Sequence, residues 1–186
     1  MIYINDHVQD INIEESLPEL SFQRREKVLR FRSEGGKKLS IAAYLLLRRA
    51  LDAEFGITAP PEFVFSENGK PFLKHHPEIF FSLSHSGNVA LCAVDLRPLG
   101  ADIETPRKVS HDVVEYVMNC DEQKFIATSP DPHTAFLNLW TKKEALLKLQ
   151  GCGIGNDMKN VLENSRNYCV ETYENEKMVY SIAVHI

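Results

Sequence analysis

Long apolar runs are missing from this sequence of 186 residues. No stretch approaches the roughly 20 residues that a membrane-spanning helix needs, so we expect no membrane association. The first residues, MIYINDHVQD, have neither a basic start nor an apolar segment, so we expect no secretion signal. These absences together predict a cytoplasmic location.

The sequence has no closely paired cysteines and no excess of positive charge. The four cysteines form no CxxC pair and no zinc-binding pattern, and a chain of this length needs no disulfides. The 26 acidic and 21 basic residues give a net charge of −5, which argues against a general nucleic-acid-binding protein. With 44% hydrophobic residues, the composition is that of one compact domain or two small packed halves.

The hydrophobic pattern predicts an α/β (α+β) chain. Helices are expected over residues 22–31, over 39–55 after a break at GGKK, and over 135–149. Strands are expected in IFFSLSHSGNVALCAVDL, where SGN forms a tight turn, in LGADIE, and in a C-terminal hairpin. Because helices precede a hairpin twice, we expect two similar halves, residues 1–98 and 99–186, each a small antiparallel sheet packed against helices.

Three carboxylates are candidate ligands for a cation. Asp102 and Glu104 share one face of a predicted strand, where they repel each other unless a cation, a proton or basic side chains compensate them. Trp140, Glu144 and Lys148 share one face of a predicted helix. The alternatives are an exposed acidic strand end and a surface Glu–Lys pair. Asp102, Glu104 and Glu144 together would form the hard oxygen site that Mg²⁺ prefers.

Several polar and basic residues are candidate ligands for an anion. Ser84 and His85 end an apolar strand just before a glycine turn, so His85 is either a rim group that reaches a phosphate or a structural histidine. No GxSxG pattern surrounds Ser84, so it is not predicted to be a nucleophile. Arg24 and Lys27 form a basic stripe on the first helix, and Lys70 lies in an NGKP turn. Such groups suit phosphate, but a basic helix face is otherwise simply solvated.

Five segments, in this order, resemble the phosphopantetheinyl transferases of the type that activates surfactin synthetase: QRREK, NGKP, FSLSHSG, GADIE and WTKKEALLKLQGCGI. The similarity covers about residues 22–155. It implies two α/β halves with pseudo-twofold symmetry and an active site between them. It also implies a magnesium-dependent enzyme that moves the 4'-phosphopantetheine arm of coenzyme A onto a serine of an apo acyl or peptidyl carrier protein, leaving 3',5'-ADP.

The resemblance also implies a role for individual residues. Asp102, Glu104 and Glu144 match the magnesium ligands. Six residues match contacts to coenzyme A, mostly to its phosphates: Arg24, Lys27, Lys70, Ser84, His85 and Lys148. The last two would also support catalysis as cations or hydrogen-bond donors. For the base that accepts the serine proton, Glu122, Glu144 and a water stay open; the reduced basicity of a metal-bound carboxylate favours Glu122 or water.

Two other functions remain as alternatives. A non-catalytic module that senses coenzyme A would keep the fold but is expected to have damaged metal ligands. An unrelated magnesium-dependent phosphoesterase would explain the three carboxylates but not the NGKP and SHSG segments. Because one chain carries the whole set of candidate residues, we expect a monomer.

Overall fold

The computed structural model describes residues 1–152, 158–163 and 165–186. The end of the WTKKEALLKLQGCGI segment, residues 153 and 154, lies outside this part of the chain. The helices are α1 (Ile13–Ser16), α2 (Phe22–Arg30), α3 (Glu34–Phe55), α4 (His111–Val117), α5 (Cys120–Thr128) and α6 (Pro132–Gln150), with 3-10 turns at Val8–Asp10 and Leu17–Glu19. The strands are β1 (Ile2–Asn5), β2 (Phe63–Phe65), β3 (Pro71–Leu73), β4 (Phe80–Ser86), β5 (Val89–Asp95), β6 (Leu99–Glu104), β7 (Tyr168–Glu174) and β8 (Val179–His185). None of the described helices is both long enough and apolar enough to span a bilayer.

The strands form small antiparallel sheets, as predicted. One sheet has the order β1–β5–β4, another has the order β6–β8–β7, and β2 pairs with β3. In both three-stranded sheets the earliest strand pairs with the second strand of a later hairpin. The same topology therefore occurs twice. The division at residues 98 and 99 and the pseudo-twofold axis stay predictions.

Each three-stranded sheet packs against one long helix. Ile41 and Leu47 of α3 are fully buried in the core formed with β4 and β5. Phe136 of α6 is buried in a second core, which includes residues of β8. A third cluster lies between the sheets and includes Leu91 of β5 and Ile103 of β6. The two sheets are therefore joined by apolar contacts, which fixes β6 next to β4 and β5.

The predicted break at GGKK is wrong, because α3 begins at Glu34 and includes that segment. The Ser33 side chain caps the helix by accepting a hydrogen bond from the Gly36 N–H at 3.1 Å. A Cβ atom at Gly36 would lie only 3.0 Å from the Phe31 ring, so glycine permits a close turn between α2 and α3. The predicted end is confirmed, since Gly56 adopts the left-handed conformation that terminates helices.

Candidate active site

Helix α6 lies directly on strand β6, and Gly100 makes this contact possible. A Cβ atom at Gly100 would overlap the backbone of Ala145 and Leu149. The close approach places the cavity-facing side of α6 beside β6, so that the Lys148 ammonium reaches Asp102 Oδ1 at 2.7 Å. A residue larger than glycine at this position would push the helix, with Glu144 and Lys148, away from the strand.

A cavity of about 410 Å³ opens where α6, β6, β4 and α2 meet. It brings together most of the residues that the sequence singled out. Its charged and hydrogen-bonding lining consists of Arg24, Lys27, Ser40, Ser84, His85, Asp102, Glu104, Trp140, Glu144 and Lys148. Cationic groups come mainly from residues before 98 and the carboxylates from residues after it, so both parts of the chain build one site.

Two buried carboxylate oxygens in this cavity lack a hydrogen-bond donor among the described residues. They are Asp102 Oδ2 and Glu144 Oε1. Asp102 Oδ1, in contrast, accepts hydrogen bonds from Ser84 Oγ at 2.6 Å and Lys148 Nζ at 2.7 Å. Because a buried polar atom without a partner is costly, these two oxygens fit a cation or a proton supplied from outside the chain.

The three predicted metal ligands line the cavity together but do not form a finished metal site. Within residues 1–152, 158–163 and 165–186, no group of three or more His, Cys, Asp and Glu side chains is arranged to hold an ion. The Lys148 ammonium occupies one oxygen of Asp102. Glu104 is engaged on both oxygens, by Trp140 Nε1 at 3.1 Å and by Ser86 Oγ at 2.5 Å. The donor set nevertheless fits a divalent cation, because hard carboxylate oxygens remain unpartnered at Asp102 and Glu144.

The electrostatics of the cavity favour an added positive charge. Burial raises the pKa of Asp102 above its usual value, against the lowering influence of Lys148. Burial, followed by the charge of Asp102, raises the pKa of Glu144 to about 7. Both shifts mean that burial disfavours the charged form of these carboxyls, and a bound cation or a proton would relieve that penalty.

The opposite wall of the cavity is cationic. Arg24 is partly buried, with its guanidinium 5.2 Å from the centre of the Tyr44 ring and 5.3 Å from that of Phe63. This placement fixes the Arg24 group toward the cavity. Burial lowers the pKa of Lys27, and the nearby charge of Arg24 lowers it further. His85 is exposed at the rim, and partial desolvation lowers its pKa, which favours a neutral imidazole at pH 7.

Lys70 is not part of this cavity wall. Its ammonium donates to the backbone carbonyl of Leu149, at 2.8 Å, in the last turn of α6. Lys70 instead lines a neighbouring cavity of about 290 Å³, which shares Pro71, Leu83, Glu144 and Lys148 with the first. It therefore ties the β2–β3 hairpin to α6 at the edge of the site.

Glu122 also lies away from the cavity lining. Its carboxylate accepts the Asn119 N–H at 2.8 Å, which completes a capping box at the start of α5. The same oxygen accepts the fully buried ammonium of Lys143 at 2.6 Å. Lys143 Nζ also donates to the carbonyls of Val117 at 2.9 Å and Met158 at 2.8 Å. Glu122 is thus a partner of a buried lysine.

Sequence reasoning missed the role of two residues that lie beside the carboxylates. Ser86 and Trp140 both donate hydrogen bonds to Glu104. No role was predicted for Ser86, and Trp140 was placed only on the Glu144 face of α6. The alternation FSLSHSG was the available signal, because serines two apart share one strand face. Ser84 donates to Asp102 in this structure, and the phosphate contact that the resemblance implies for it stays a prediction.

Comparison with known proteins agrees with the resemblance inferred from the sequence. Residues 98–185 match the sequence model of the 4'-phosphopantetheinyl transferase superfamily. The chain is 33% identical to the 4'-phosphopantetheinyl transferase psf-1 of Bacillus pumilus over 147 residues, and this alignment covers 76% of the chain and 62% of psf-1. It is 27% identical over 156 residues to the 4'-phosphopantetheinyl transferase Sfp of Bacillus subtilis, covering 82% of this chain and 70% of Sfp.

A relative from a different bacterial genus is also similar to this chain. The 4'-phosphopantetheinyl transferase AcpT of Salmonella typhimurium is 35% identical over 116 residues, which cover 60% of this chain and 57% of AcpT. The chain thus spans less than two thirds of the length of several relatives that it matches. The predicted resemblance is confirmed.

Proposed function

We propose, from the relationship of this chain to the 4'-phosphopantetheinyl transferase superfamily, that it transfers the 4'-phosphopantetheine group of coenzyme A to a serine of an apo acyl or peptidyl carrier protein. The products are the holo-carrier protein and 3',5'-ADP. The observation that carries the proposal is the single cavity in which unpartnered carboxylate oxygens face a cationic wall. A ligand rich in phosphate, bound together with a divalent cation, suits both sides.

Binding and positioning account for most of the catalysis in phosphoryl transfer. Arg24 and Lys27 bind phosphate groups of coenzyme A from the cationic wall, with Arg24 held rigidly by its aromatic neighbours. His85, at the rim of the cavity, donates a hydrogen bond to a phosphate oxygen. Lys148 leaves its ion pair with Asp102 and binds an oxygen of the pyrophosphate.

Asp102, Glu104 and Glu144 are the residues that would hold Mg²⁺, with Asp102 and Glu144 contributing their unpartnered oxygens. When bound, the metal would neutralise charge that develops on the pyrophosphate oxygens. The carrier serine hydroxyl attacks the β-phosphorus, and the bond from that phosphorus to the oxygen of 3',5'-ADP breaks. The serine proton leaves to a base in the cavity.

Glu144, directly or through a water that it holds, is our assignment for that base. Of these two glutamates, only Glu144 lines the cavity, whereas Glu122 is held by Lys143 and by the capping box at the start of α5. Bound Mg²⁺ would reduce the basicity of the Glu144 carboxylate, so a water that Glu144 holds is the more favourable proton acceptor. Ser84 takes a supporting role by donating to Asp102.

The test is transfer from coenzyme A to a panel of purified apo-carrier proteins, followed by intact-protein mass spectrometry. We expect a carrier to gain the phosphopantetheine mass with Mg²⁺ but not with excess chelator, and not when its acceptor serine is replaced by alanine. Binding of coenzyme A without transfer would favour the sensor alternative. Release of 3',5'-ADP without any carrier would favour the phosphoesterase.

A further inference from the structure

The carboxylate of Glu104 is fixed from two sides before any ligand binds. Trp140 Nε1 on α6 donates to Oε1 at 3.1 Å, and Ser86 Oγ at the end of β4 donates to Oε2 at 2.5 Å. Arg107 adds a more exposed ion pair of 3.4 Å to Oε2. The two closest donors come from different elements, so the rotamer of Glu104 depends on how β4 and α6 meet β6.

Ser86 is placed by the β4–β5 turn. Gly87 follows it with a φ of +55°, and a Cβ atom there would lie 2.6 Å from the Thr105 hydroxyl. The turn therefore lies against the end of β6 at a distance that only glycine allows. Ser86 Oγ also accepts the Thr105 N–H at 3.4 Å, so one hydroxyl holds both the side chain and the following peptide of Glu104.

The same face of β4 carries an informative counterpart, Ser82. Its hydroxyl accepts the Ala101 N–H at 2.9 Å and donates to the Ala101 carbonyl at 3.3 Å. Ser82 thus links β4 to the backbone of β6 but touches no carboxylate in the described structure. A comparison of Ser82 with Ser86 therefore distinguishes two roles of a serine on this face: Ser82 only joins the strands, whereas Ser86 also orients a carboxylate.

We propose that Ser86 is a positioning residue, which, with Trp140, aims the Glu104 carboxylate into the cavity so that Glu104 can join Asp102 and Glu144 around a divalent cation. This inference rests on the proposed function. The physical reason is that a flexible carboxylate must lose rotamer freedom on binding metal, whereas one already held by two donors loses less. Ser86 itself is not expected to touch coenzyme A or the metal.

The experiment measures Mn²⁺ affinity of the purified chain by electron paramagnetic resonance, without coenzyme A and without turnover. We compare the native chain with Ser86→Ala, Ser86→Thr and Ser82→Ala. Loss of the positioning hydroxyl in Ser86→Ala should weaken Mn²⁺ binding about 10-fold or more, the usual cost of losing a partner of a metal ligand. Ser86→Thr should retain most of the affinity because it keeps the hydroxyl, and Ser82→Ala should retain it because Glu104 keeps both donors.

Fluorescence gives a second readout from the same samples. Trp140 is the one tryptophan of the chain and donates to Glu104, so its emission is sensitive to a change in this hydrogen bond. We expect the Trp140 emission, measured without Mn²⁺, to change in Ser86→Ala and to match that of the native chain in Ser82→Ala. Equal Mn²⁺ affinity in Ser86→Ala and the native chain, or an equal loss in Ser82→Ala, would overturn the positioning role alone. Absence of Mn²⁺ binding by the native chain would instead remove the metal-dependent function on which it rests.

Discussion

Two neighbouring residues of α6, Lys143 and Glu144, are both buried and yet have opposite surroundings. Lys143 has acceptors on all sides, including Glu122 at 2.6 Å and the carbonyl of Met158 at 2.8 Å. Glu144 has one buried oxygen without a donor in the described structure and faces the charge of Asp102. The saturated group stabilises the fold, and the unsaturated one leaves room for a ligand.

Removal of Lys143, whose hydrogen bonds are satisfied, should have the largest effect on stability. Lys143→Met should leave Glu122 buried beside carbonyls without its cation, at a cost of about 3–5 kcal/mol in the free energy of unfolding. Urea denaturation measures this cost. Lys142→Met, one position earlier at a half-buried site, is the matched control. The double variant Lys143→Met with Glu122→Gln should recover part of the loss, and a double variant no more stable than the single one would contradict the pairing.

Substitution of Glu144, which has an unpartnered oxygen in the described structure, should reduce activity rather than stability. Glu144→Gln removes a charge from the candidate metal site and the assigned base, so transfer should fall by about 100-fold or more. The rate of carrier modification at saturating Mg²⁺ is the measurement. Glu122→Gln should fall far less in rate if it is first shown to be folded. A larger loss of transfer rate in Glu122→Gln than in Glu144→Gln would indicate that Glu122 is the base.

Stability of the metal-free protein should depend on pH through Glu144. Its pKa rises from 4.5 to about 7 on folding, so this stabilising contribution is complete below about pH 4.5 and is lost as pH rises through 7. At pH 8 Glu144→Gln should therefore be more stable than the native chain by about 1–3 kcal/mol, and near pH 4.5 the difference should vanish. Thermal unfolding across this range measures the difference. A gap that is constant with pH would show that Glu144 does not titrate as described.

The smallest predicted effect concerns Lys70. Its ammonium donates to the Leu149 carbonyl, so Lys70→Met should cost about 1 kcal/mol of stability. Because Lys70 lies outside the cationic wall, coenzyme A affinity should fall less than in Lys27→Met. Isothermal titration with coenzyme A compares the two variants. A larger loss of affinity in Lys70→Met would instead support the coenzyme A contact that the resemblance implies for Lys70.

Much of the fold could be predicted from local sequence patterns. The end of α3 at Gly56 and the SGN turn were readable because they depend on glycine conformations within a few residues. The start of α3 could not be predicted in this way. The Ser33 cap stabilises the first turn of the helix enough that the two glycines of GGKK do not break it. Local rules were sufficient wherever the decisive contact was also local.

The candidate site was only partly readable for the same reason. The charged residues that line the cavity were identified from motifs, but their partners lie far along the chain. Lys148 meets Asp102 across 46 positions and Lys70 meets Leu149 across 79, distances over which spacing carries no information. Glu122 shows the consequence, since its motif position suggested a base while Lys143, 21 residues later, gives it a structural partner.

The most direct test is a crystal structure of the chain with coenzyme A and Mn²⁺, in which anomalous scattering locates the metal. We predict one strong peak in the cavity within coordination distance of Asp102 and Glu144, with Lys148 turned from Asp102 toward the pyrophosphate. A peak elsewhere, or coenzyme A bound in the cavity with those two carboxylates facing only protein or water, would contradict the account.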